Sequence, residues 1–241
     1  MRNISDSDVG SLRTGRPDVT ESELVEQQRT ETHDQEDLEA LKTGTTTIGV
    51  RTEDGVVLVT DRRASLGRMV SSKTVQKVEN ITDFSAITIS GSVSAAQNLI
   101  RTLRAETSLY ETRRGQDISM TGLSTLLSNF LRSGAYFIVV PLLGGYDDEG
   151  PHLFSYDALG GVTEEEYAVS GSGSQFALGV LEQQYEEGMS LDDAESAAIA
   201  AVLSAVERDT ASGNGVHVAR ITEEGTDITE FDSIDAVRQY Q

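Results

Sequence analysis

The chain has 241 residues, enough for a substantial core, and carries 40 acidic against 19 basic residues for a net charge of −21. Such a charge repels nucleic acid and anionic membrane surfaces, so a polyanion-binding role is disfavoured. Cysteine is absent, which removes disulfides, thiol nucleophiles and thiolate metal sites.

The first 44 residues differ in character from the rest of the chain. They hold eleven Asp or Glu, few large apolar side chains, and Pro17 within Thr14-Gly15-Arg16-Pro17-Asp18, a composition that cannot bury enough surface to offset its ordering entropy. A disordered acidic leader is expected. No apolar stretch comes after a basic start, and no run is long and apolar enough to span a bilayer. The expectation is a soluble cytoplasmic protein without membrane or nucleic-acid partners.

From Thr45 the pattern is compact. Thr46 to Arg51 and Val56 to Thr60 are short β-rich runs joined by Glu53-Asp54-Gly55, a hairpin signal. Ser85 to Ser90 is a further strand candidate. Two helical stretches come next: Ala95, Leu99, Ile100 and Leu103 recur at helical spacing after Ser92, and Leu123, Leu126, Leu127, Phe130 and Leu131 form a second apolar face. Tyr136 to Leu143, His152 to Asp157 and Tyr167 to Ser170 read as strands. Phe176, Val180 and Leu181 open a third helix, and Ser190-Leu191-Asp192-Asp193 offers an N-cap with acid in the first turn of a fourth, running to Arg208. Val216 to Thr222 and Thr226 to Glu230 close the series. Strands, two helices, strands, two helices, strands is not the alternation of a doubly wound sheet. It suits antiparallel sheets covered by helix pairs, a layered α/β sandwich.

Several standard sites are missing from the sequence. There is no phosphate loop ending in Gly-Lys-Ser/Thr and no HExxH, and His33, His152 and His217 are too isolated to form a metal cluster. Gly171-Ser172-Gly173-Ser174 lacks the third glycine of a dinucleotide fingerprint. His152 and His217 fall in alternating strand-like runs and read as structural or surface histidines. A hydroxyl nucleophile here needs another base, a lysine or a terminal amine.

That requirement points to three residues. In Thr43-Gly44-Thr45-Thr46-Thr47-Ile48-Gly49-Val50, a glycine before a hydroxyl residue suggests a peptide bond that is cut, leaving Thr45 with a nucleophile and, in its α-amine, a base. The same run also reads as the ordinary start of an edge strand. Asp61 ends the run Val56 to Thr60 and precedes Arg62-Arg63, where a solvated turn is the plainer reading. Lys42, Lys73 and Lys77 are the only lysines; an acid-rich, lysine-poor chain resembles proteins adapted to high intracellular salt. In Lys73-Thr74-Val75-Gln76-Lys77-Val78, alternation puts Lys77 on one face with Val75. A lysine pointing inward needs a carboxylate partner.

Three separated patterns carry a resemblance: Gly44-Thr45-Thr46-Thr47 with Thr60-Asp61-Arg62-Arg63, then Ser170-Gly171-Ser172-Gly173-Ser174, then Arg208-Asp209-Thr210-Ala211-Ser212-Gly213. In order and spacing the chain resembles a proteasome β subunit of the archaeal type, within the N-terminal-nucleophile hydrolases, from Thr45 to about Glu230. The resemblance implies an α+β fold, a four-layer αββα sandwich of two antiparallel sheets flanked by helix pairs. Residues 1–44 become a propeptide removed by autocleavage at Gly44–Thr45, and 45–241 the catalytic domain. Thr45 is then the nucleophile, Asp61 and Lys77 match the family's acid and lysine, and Ser172, Asp209 and Ser212 match the group around the threonine amine. Gly91, in Ser90-Gly91-Ser92, falls where the family supplies an oxyanion-stabilising N–H. By position Ala64, Val75, Ile89 and Val93 line the pocket beside the nucleophile, and their apolar character implies cleavage after hydrophobic residues. No cofactor or metal is implied.

The residue types suit that chemistry. A threonine hydroxyl is a poor nucleophile, but a free α-amine with an ordinary pKa of about 7.7–8.0 can take its proton directly or through a water. A Lys77 ammonium nearby would lower both pKa values, with Asp61 holding it charged. A glycine at 91 lets a backbone donor approach the oxyanion closely. The implied partners are proteasome α subunits and other β subunits in a barrel of stacked sevenfold rings (α7β7β7α7), an unfoldase ATPase, and unfolded protein substrates. The long acidic leader, and Ser90 where relatives often have Ala, depart from the commonest pattern. Three rival readings remain: a non-catalytic structural β subunit beside an active paralogue, an acidic binding module with no chemistry, and a bacterial-type threonine protease with sixfold rings.

Overall fold

A computed structural model describes residues 44–67, 69–136 and 138–240. The leader expected over residues 1–44 therefore lies, apart from Gly44, outside the described residues.

Alternation along one strand sets the layering. β1 (Thr46–Arg51) and β2 (Val56–Asp61) form the expected hairpin, with Thr52 N donating to Gly55 O at 2.9 Å. In β2, Val57 and Val59 pack with the helix residues Ala198, Ala201, Val202 and Ala205, while Val56 and Leu58 pack with Leu142, Leu153, Ala219 and Ile221 of other strands. A strand covered on both faces reads as a continuous apolar run, which is how Val56 to Val59 appears in the sequence.

β2 pairs on its other edge with β11 (Val216–Thr222), which pairs with β12 (Gly225–Phe231); β10 (Tyr167–Gly171) flanks β1. All of these pairings are antiparallel. The second sheet runs β5 (Val78–Thr82), β6 (Ser85–Thr88), β7 (Leu142–Asp147), β8 (Gly150–Tyr156) and β9 (Val162–Glu164), also antiparallel. A small separate hairpin joins β3 (Ala64–Leu66) to β4 (Met69–Ser72).

Helices close both outer faces. α1 (Val93–Arg114) and α2 (Met120–Arg132) bury Leu99, Leu103, Leu123 and Leu127 with Ile87 and Leu143 of the second sheet. α3 (Ser174–Gln184) and α4 (Leu191–Arg208) cover the first sheet, α4 through a small-residue face of Ala194, Ala198, Ala201 and Ala205 that permits close approach. Serine side chains start three of these helices: Ser92 accepts from Ala95 N, Ser119 from Gly122 N, and Ser190 from Asp193 N. The result is the four-layer αββα sandwich of the N-terminal-nucleophile hydrolase fold. No helix among the described residues is long and apolar enough to cross a membrane.

Some expected elements shift. Among the described residues of the run Tyr136 to Leu143 no strand forms before Leu142; instead Val139 makes an isolated bridge to Gly91, and Val140 N bonds Ser90 O at 3.1 Å, so this segment clasps the turn ahead of α1. The strand expected to reach Ser90 ends at Thr88, although Ile89 N still bonds Lys77 O at 2.7 Å in register with the Val78–Thr88 pair. Phe176 does not open a buried face: it is 42% exposed, and α3 buries Ala177 and Leu181. β3, β4, β5, β9 and a short α5 (Ile234–Tyr240) lack a clear apolar period, and β4 and β9 lie mostly at the surface.

Candidate active site

Asp61 ends β2 with its side chain fully buried, which excludes the solvated-turn reading. Four donors surround its carboxylate. Oδ1 accepts from Thr46 N at 2.9 Å and from Lys77 Nζ at 2.8 Å; Oδ2 accepts from Arg63 N at 3.0 Å and Gly213 N at 2.8 Å. A carboxylate satisfied on both oxygens can stay ionised out of water.

Lys77 is 1% exposed and points inward, with Asp61 as the required carboxylate partner. The residues 73–77 form no ladder, yet their burial still alternates: Val75 is half-buried, and Thr74 and Gln76 are exposed. Two backbone bonds seat the segment, Val75 N to Arg62 O at 3.0 Å and Ile89 N to Lys77 O at 2.7 Å. Burial pulls the Lys77 pKa below its ordinary value, and the attraction of Asp61 opposes that shift without cancelling it. The ammonium also donates to Gly44 O at 3.3 Å.

Thr45, 2% exposed, sits at the junction of two polar groups. Its hydroxyl donates to the same Gly44 carbonyl oxygen at 2.7 Å, and its backbone N–H donates to Ser172 Oγ at 3.2 Å. Asp209, at the C-cap of α4, accepts through Oδ2 from Ser172 Oγ at 2.5 Å and from Ser212 Oγ at 2.7 Å. Each serine has one proton; that of Ser212 goes to Asp209, and that of Ser172 goes to the same charged and much nearer oxygen in preference to Thr45 O at 3.4 Å. Ser172 Oγ is therefore an acceptor toward Thr45 N, and Ser212 Oγ an acceptor toward Thr46 Oγ1, 2.8 Å away.

Two glycines are fixed by space. A Cβ on Gly44 would fall 1.7 Å from Ala211 Cβ, and one on Gly171, at φ +98°, would fall 2.0 Å from Thr45 O. Gly44 thus lets the strand start lie against the 209–213 loop.

Gly91 has φ +99°, and a Cβ there would meet Ile138 O at 1.7 Å. It comes two residues after Ile89, whose N–H reaches the Lys77 carbonyl. Of the pocket candidates, Ala64 and Ile89 are buried at 4% and 2%, whereas Val75 and Val93 are half-buried. The Val75–Arg62 and Ile89–Lys77 backbone bonds tie the segments bearing Ala64, Val75 and Ile89 to the Asp61–Lys77 pair, and Val93 starts α1 just beyond.

Two participants were not expected. Thr46 donates to Ser212 from a fully buried position, its only sequence signal being its place beside Thr45. Arg63 clamps the opposite loop, with Nε on Asn214 Oδ1 at 2.8 Å and Nη1 on Thr210 O at 2.7 Å. Nothing local marks Arg63 for that task, since its partners lie about 150 residues away. Both histidines among the described residues are buried rather than at the surface; His152 lies between Glu164 (2.8 Å) and Asp147 (3.2 Å). Among the described residues no group of three or more His, Asp or Glu could hold a metal.

The sequence model of the family described as proteasome subunit matches residues 41–221. The chain belongs to that family. A proteasome subunit beta of Halorubrum lacusprofundi is 65% identical over 195 residues, 81% of this chain and 80% of its own length. Haloquadratum walsbyi has one that is 56% identical over 241 residues, covering 98% of this chain and 99% of the relative, and Haloferax volcanii one that is 60% identical over 196 residues, 81% of each. The chain is thus a proteasome β subunit of the archaeal type, similar to those of halophilic archaea, in keeping with its acid-rich, lysine-poor composition. The match to the proteasome family begins four residues before Thr45.

Proposed function

We propose that this β subunit is a threonine endopeptidase, made as a precursor and activated by cutting Gly44–Thr45. The observation that carries the reading is the convergence on one carbonyl: the Thr45 hydroxyl at 2.7 Å and the Lys77 ammonium at 3.3 Å both donate to Gly44 O. The adjacent hydroxyl is the nucleophile at hand, and the ammonium stabilises charge that develops on the oxygen.

Activation proceeds as an acyl shift and then hydrolysis. Thr45 Oγ1 loses its proton and bonds to the Gly44 carbonyl carbon, the C–N bond breaks, and the Thr45 nitrogen takes up the proton. Water then cleaves the ester, leaving a Gly44 carboxylate on the departing leader and restoring the hydroxyl. In turnover the free amine accepts the Thr45 hydroxyl proton, directly or through a water, as Oγ1 attacks the substrate carbonyl carbon. The oxyanion is received by the Gly91 N–H. The leaving amine takes the proton back as its C–N bond breaks, and water releases the acyl group.

The serine–aspartate group directs the amine. With its own proton committed to Asp209, Ser172 accepts a hydrogen from the Thr45 nitrogen and leaves the amine lone pair for the hydroxyl. Lys77, held by Asp61, lowers the pKa of both. Ala64, Val75, Ile89 and Val93 offer an apolar wall and so favour hydrophobic residues before the cut bond.

The subunit acts within a 20S core, in β rings enclosed by α rings and fed by an unfoldase ATPase in the cytoplasm. A non-catalytic role beside an active paralogue is disfavoured by the complete Thr45, Asp61 and Lys77 set. The decisive experiment is the intact mass of the chain co-expressed with α subunits. Loss of residues 1–44 is expected, with Thr45→Ala abolishing both that loss and peptide hydrolysis. An active Thr45→Ala particle would overturn the mechanism.

A further inference from the structure

Thr60 of β2 lies directly opposite His217 of β11. Strand alternation places both on the face toward the second sheet, in line with Leu58, Ala219 and Ile221. Both are buried, at 0% and 3% exposure. Thr60 Oγ1 and His217 Nδ1 nevertheless have no hydrogen-bond partner among the described residues, and neither has Arg62 Nε, two residues beyond Thr60.

The three belong to one locus. Arg62 sends Nη1 to Asp232 Oδ1 at 2.5 Å and Nη2 into an ion pair with Glu230, and Glu230 is the residue opposite His217 on the other side of β11. His217 Nε2 stands 3.9 Å from Glu230 Oε2, too far for a hydrogen bond. Burial, with Arg62 and Lys77 nearby, depresses the His217 pKa to about 4 against the opposing pull of Asp232, so the ring is neutral near pH 7.

An unsatisfied buried polar atom is costly, and clusters of them are rare in native folds. The charges decide what satisfies these. A cation would be repelled by Arg62 and Lys77. An anion needs donors on every side, yet the ring proton is favoured on Nε2, which faces the Glu230 carboxylate, so Nδ1 is an acceptor. Water meets all three demands: it accepts from Arg62 Nε–H, donates to His217 Nδ1, and exchanges a hydrogen bond with Thr60 Oγ1. Three partners is the usual complement of a buried water.

We propose that one buried water bridges Thr60 Oγ1, Arg62 Nε and His217 Nδ1, and that through it His217 is a positioning residue for Asp61. Asp61 is the residue between Thr60 and Arg62, so a water tying both neighbours to β11 fixes the backbone that aims its carboxylate at Lys77. The positioning half rests on the peptidase reading; the water site does not.

The test is a crystal structure of the assembled particle at a resolution that shows ordered solvent, paired with kinetics of two variants. A peak about 2.7–3.2 Å from all three atoms is expected. An empty site, side chains that satisfy one another directly, or an anomalous peak there after a bromide soak would each overturn the water. His217→Asn keeps a hydrogen-bonding group near the δ position, whereas His217→Leu keeps bulk alone. We expect His217→Leu to lose the peak and at least tenfold in kcat with KM unchanged, and His217→Asn to stay within threefold of the parent. A purely volumetric role would make leucine the equal of asparagine, and that result would sink the positioning role. Should His217→Leu fail to assemble, Thr60→Val against Thr60→Ser makes the same comparison. Wild-type particles lacking any Thr45-dependent hydrolysis would defeat the peptidase reading, while the density would still decide the water.

Discussion

Asp61 and Lys77 form one ion pair, yet they should be unequal in stability. Asp61 serves four donors, three of them backbone N–H groups of Thr46, Arg63 and Gly213, whereas Lys77 Nζ has two acceptors, Asp61 Oδ1 and Gly44 O. Asp61→Asn leaves the Lys77 charge buried without its counter-ion, a loss of about 3–5 kcal/mol. It also turns an amide NH2 toward one pair of donors whichever way the side chain is flipped. Lys77→Met removes the cation itself and leaves the Asp61 carboxylate solvated by three N–H groups, so its cost is about 2 kcal/mol or less. For a chain of this size about 1 kcal/mol corresponds to 2–4 °C in Tm. Asp61→Asn should therefore melt roughly 6–20 °C lower and Lys77→Met no more than about 8 °C lower. Both substitutions belong in a Thr45→Ala background, so that every chain compared is the uncut precursor, melted by circular dichroism in molar KCl. A Lys77→Met loss equal to or larger than that of Asp61→Asn would refute the idea that backbone donors, rather than the lysine, keep the carboxylate in place.

Three further outcomes rest on the geometry. His217 is neutral in the fold, its pKa lowered from 6.5 to about 4 by burial first and Arg62 second, so between those values the unfolded chain binds a proton that the folded one does not. Its contribution is then complete above about pH 6.5 and lost as pH falls toward 4; the shift is worth at most about 3.5 kcal/mol, and nearer about 1–2 once the solvent-open Glu230 side is allowed for. Precursor melts at pH 7 and pH 4.5 should differ less in His217→Asn than in the parent, and an unchanged difference would contradict this. Gly44→Ala must displace Ala211, whose Cβ lies 1.7 Å from the added atom, and should slow the appearance of processed mass at least tenfold. Val93→Glu places an acid at the first residue of α1, where the helix dipole favours it. If Val93 lines the pocket, the ratio of kcat/KM for peptides with a basic residue before the cut to those with an apolar one should rise at least tenfold; an unchanged ratio would remove Val93 from the pocket.

The layers could be read from the sequence wherever burial is periodic. Val56 to Val59, the Ser190 cap and the alanine face of α4 each announce their element, because a strand covered on both sides and a helix on a sheet leave distinct apolar patterns. Met69–Ser72 and Val162–Glu164 leave none, since their ladders are held by backbone bonds at the surface. The site divides the same way. Lys77 stood out as a lysine in phase with Val75, which is a local signal. Arg63 and Thr46 did not, because their tasks exist only once the 209–214 loop has been brought to the ends of β1 and β2. The run Tyr136 to Leu143 misled for the opposite reason. Its composition is that of a strand, but Val139 and Val140 bond to Gly91 and Ser90, so tertiary contacts override the local preference.

The polar groups are already assembled with the Gly44–Thr45 bond intact. Asp61 has its four donors, Asp209 its two serines, and Ser172 a proton from the Thr45 nitrogen. On the proposed reading, cutting the bond removes the leader together with the Gly44 carbonyl that Lys77 and the Thr45 hydroxyl share. The scaffold bonds do not depend on that carbonyl. What changes is the Thr45 nitrogen: as an amide it can donate to Ser172 but has no basic lone pair, whereas as an amine it can donate the same hydrogen and still accept one. On the same reading the Lys77 ammonium, freed from Gly44 O, is left available to the hydroxyl with which it shared that acceptor. On that reading the precursor is inactive because one nitrogen is acylated, not because the polar groups around it are unformed.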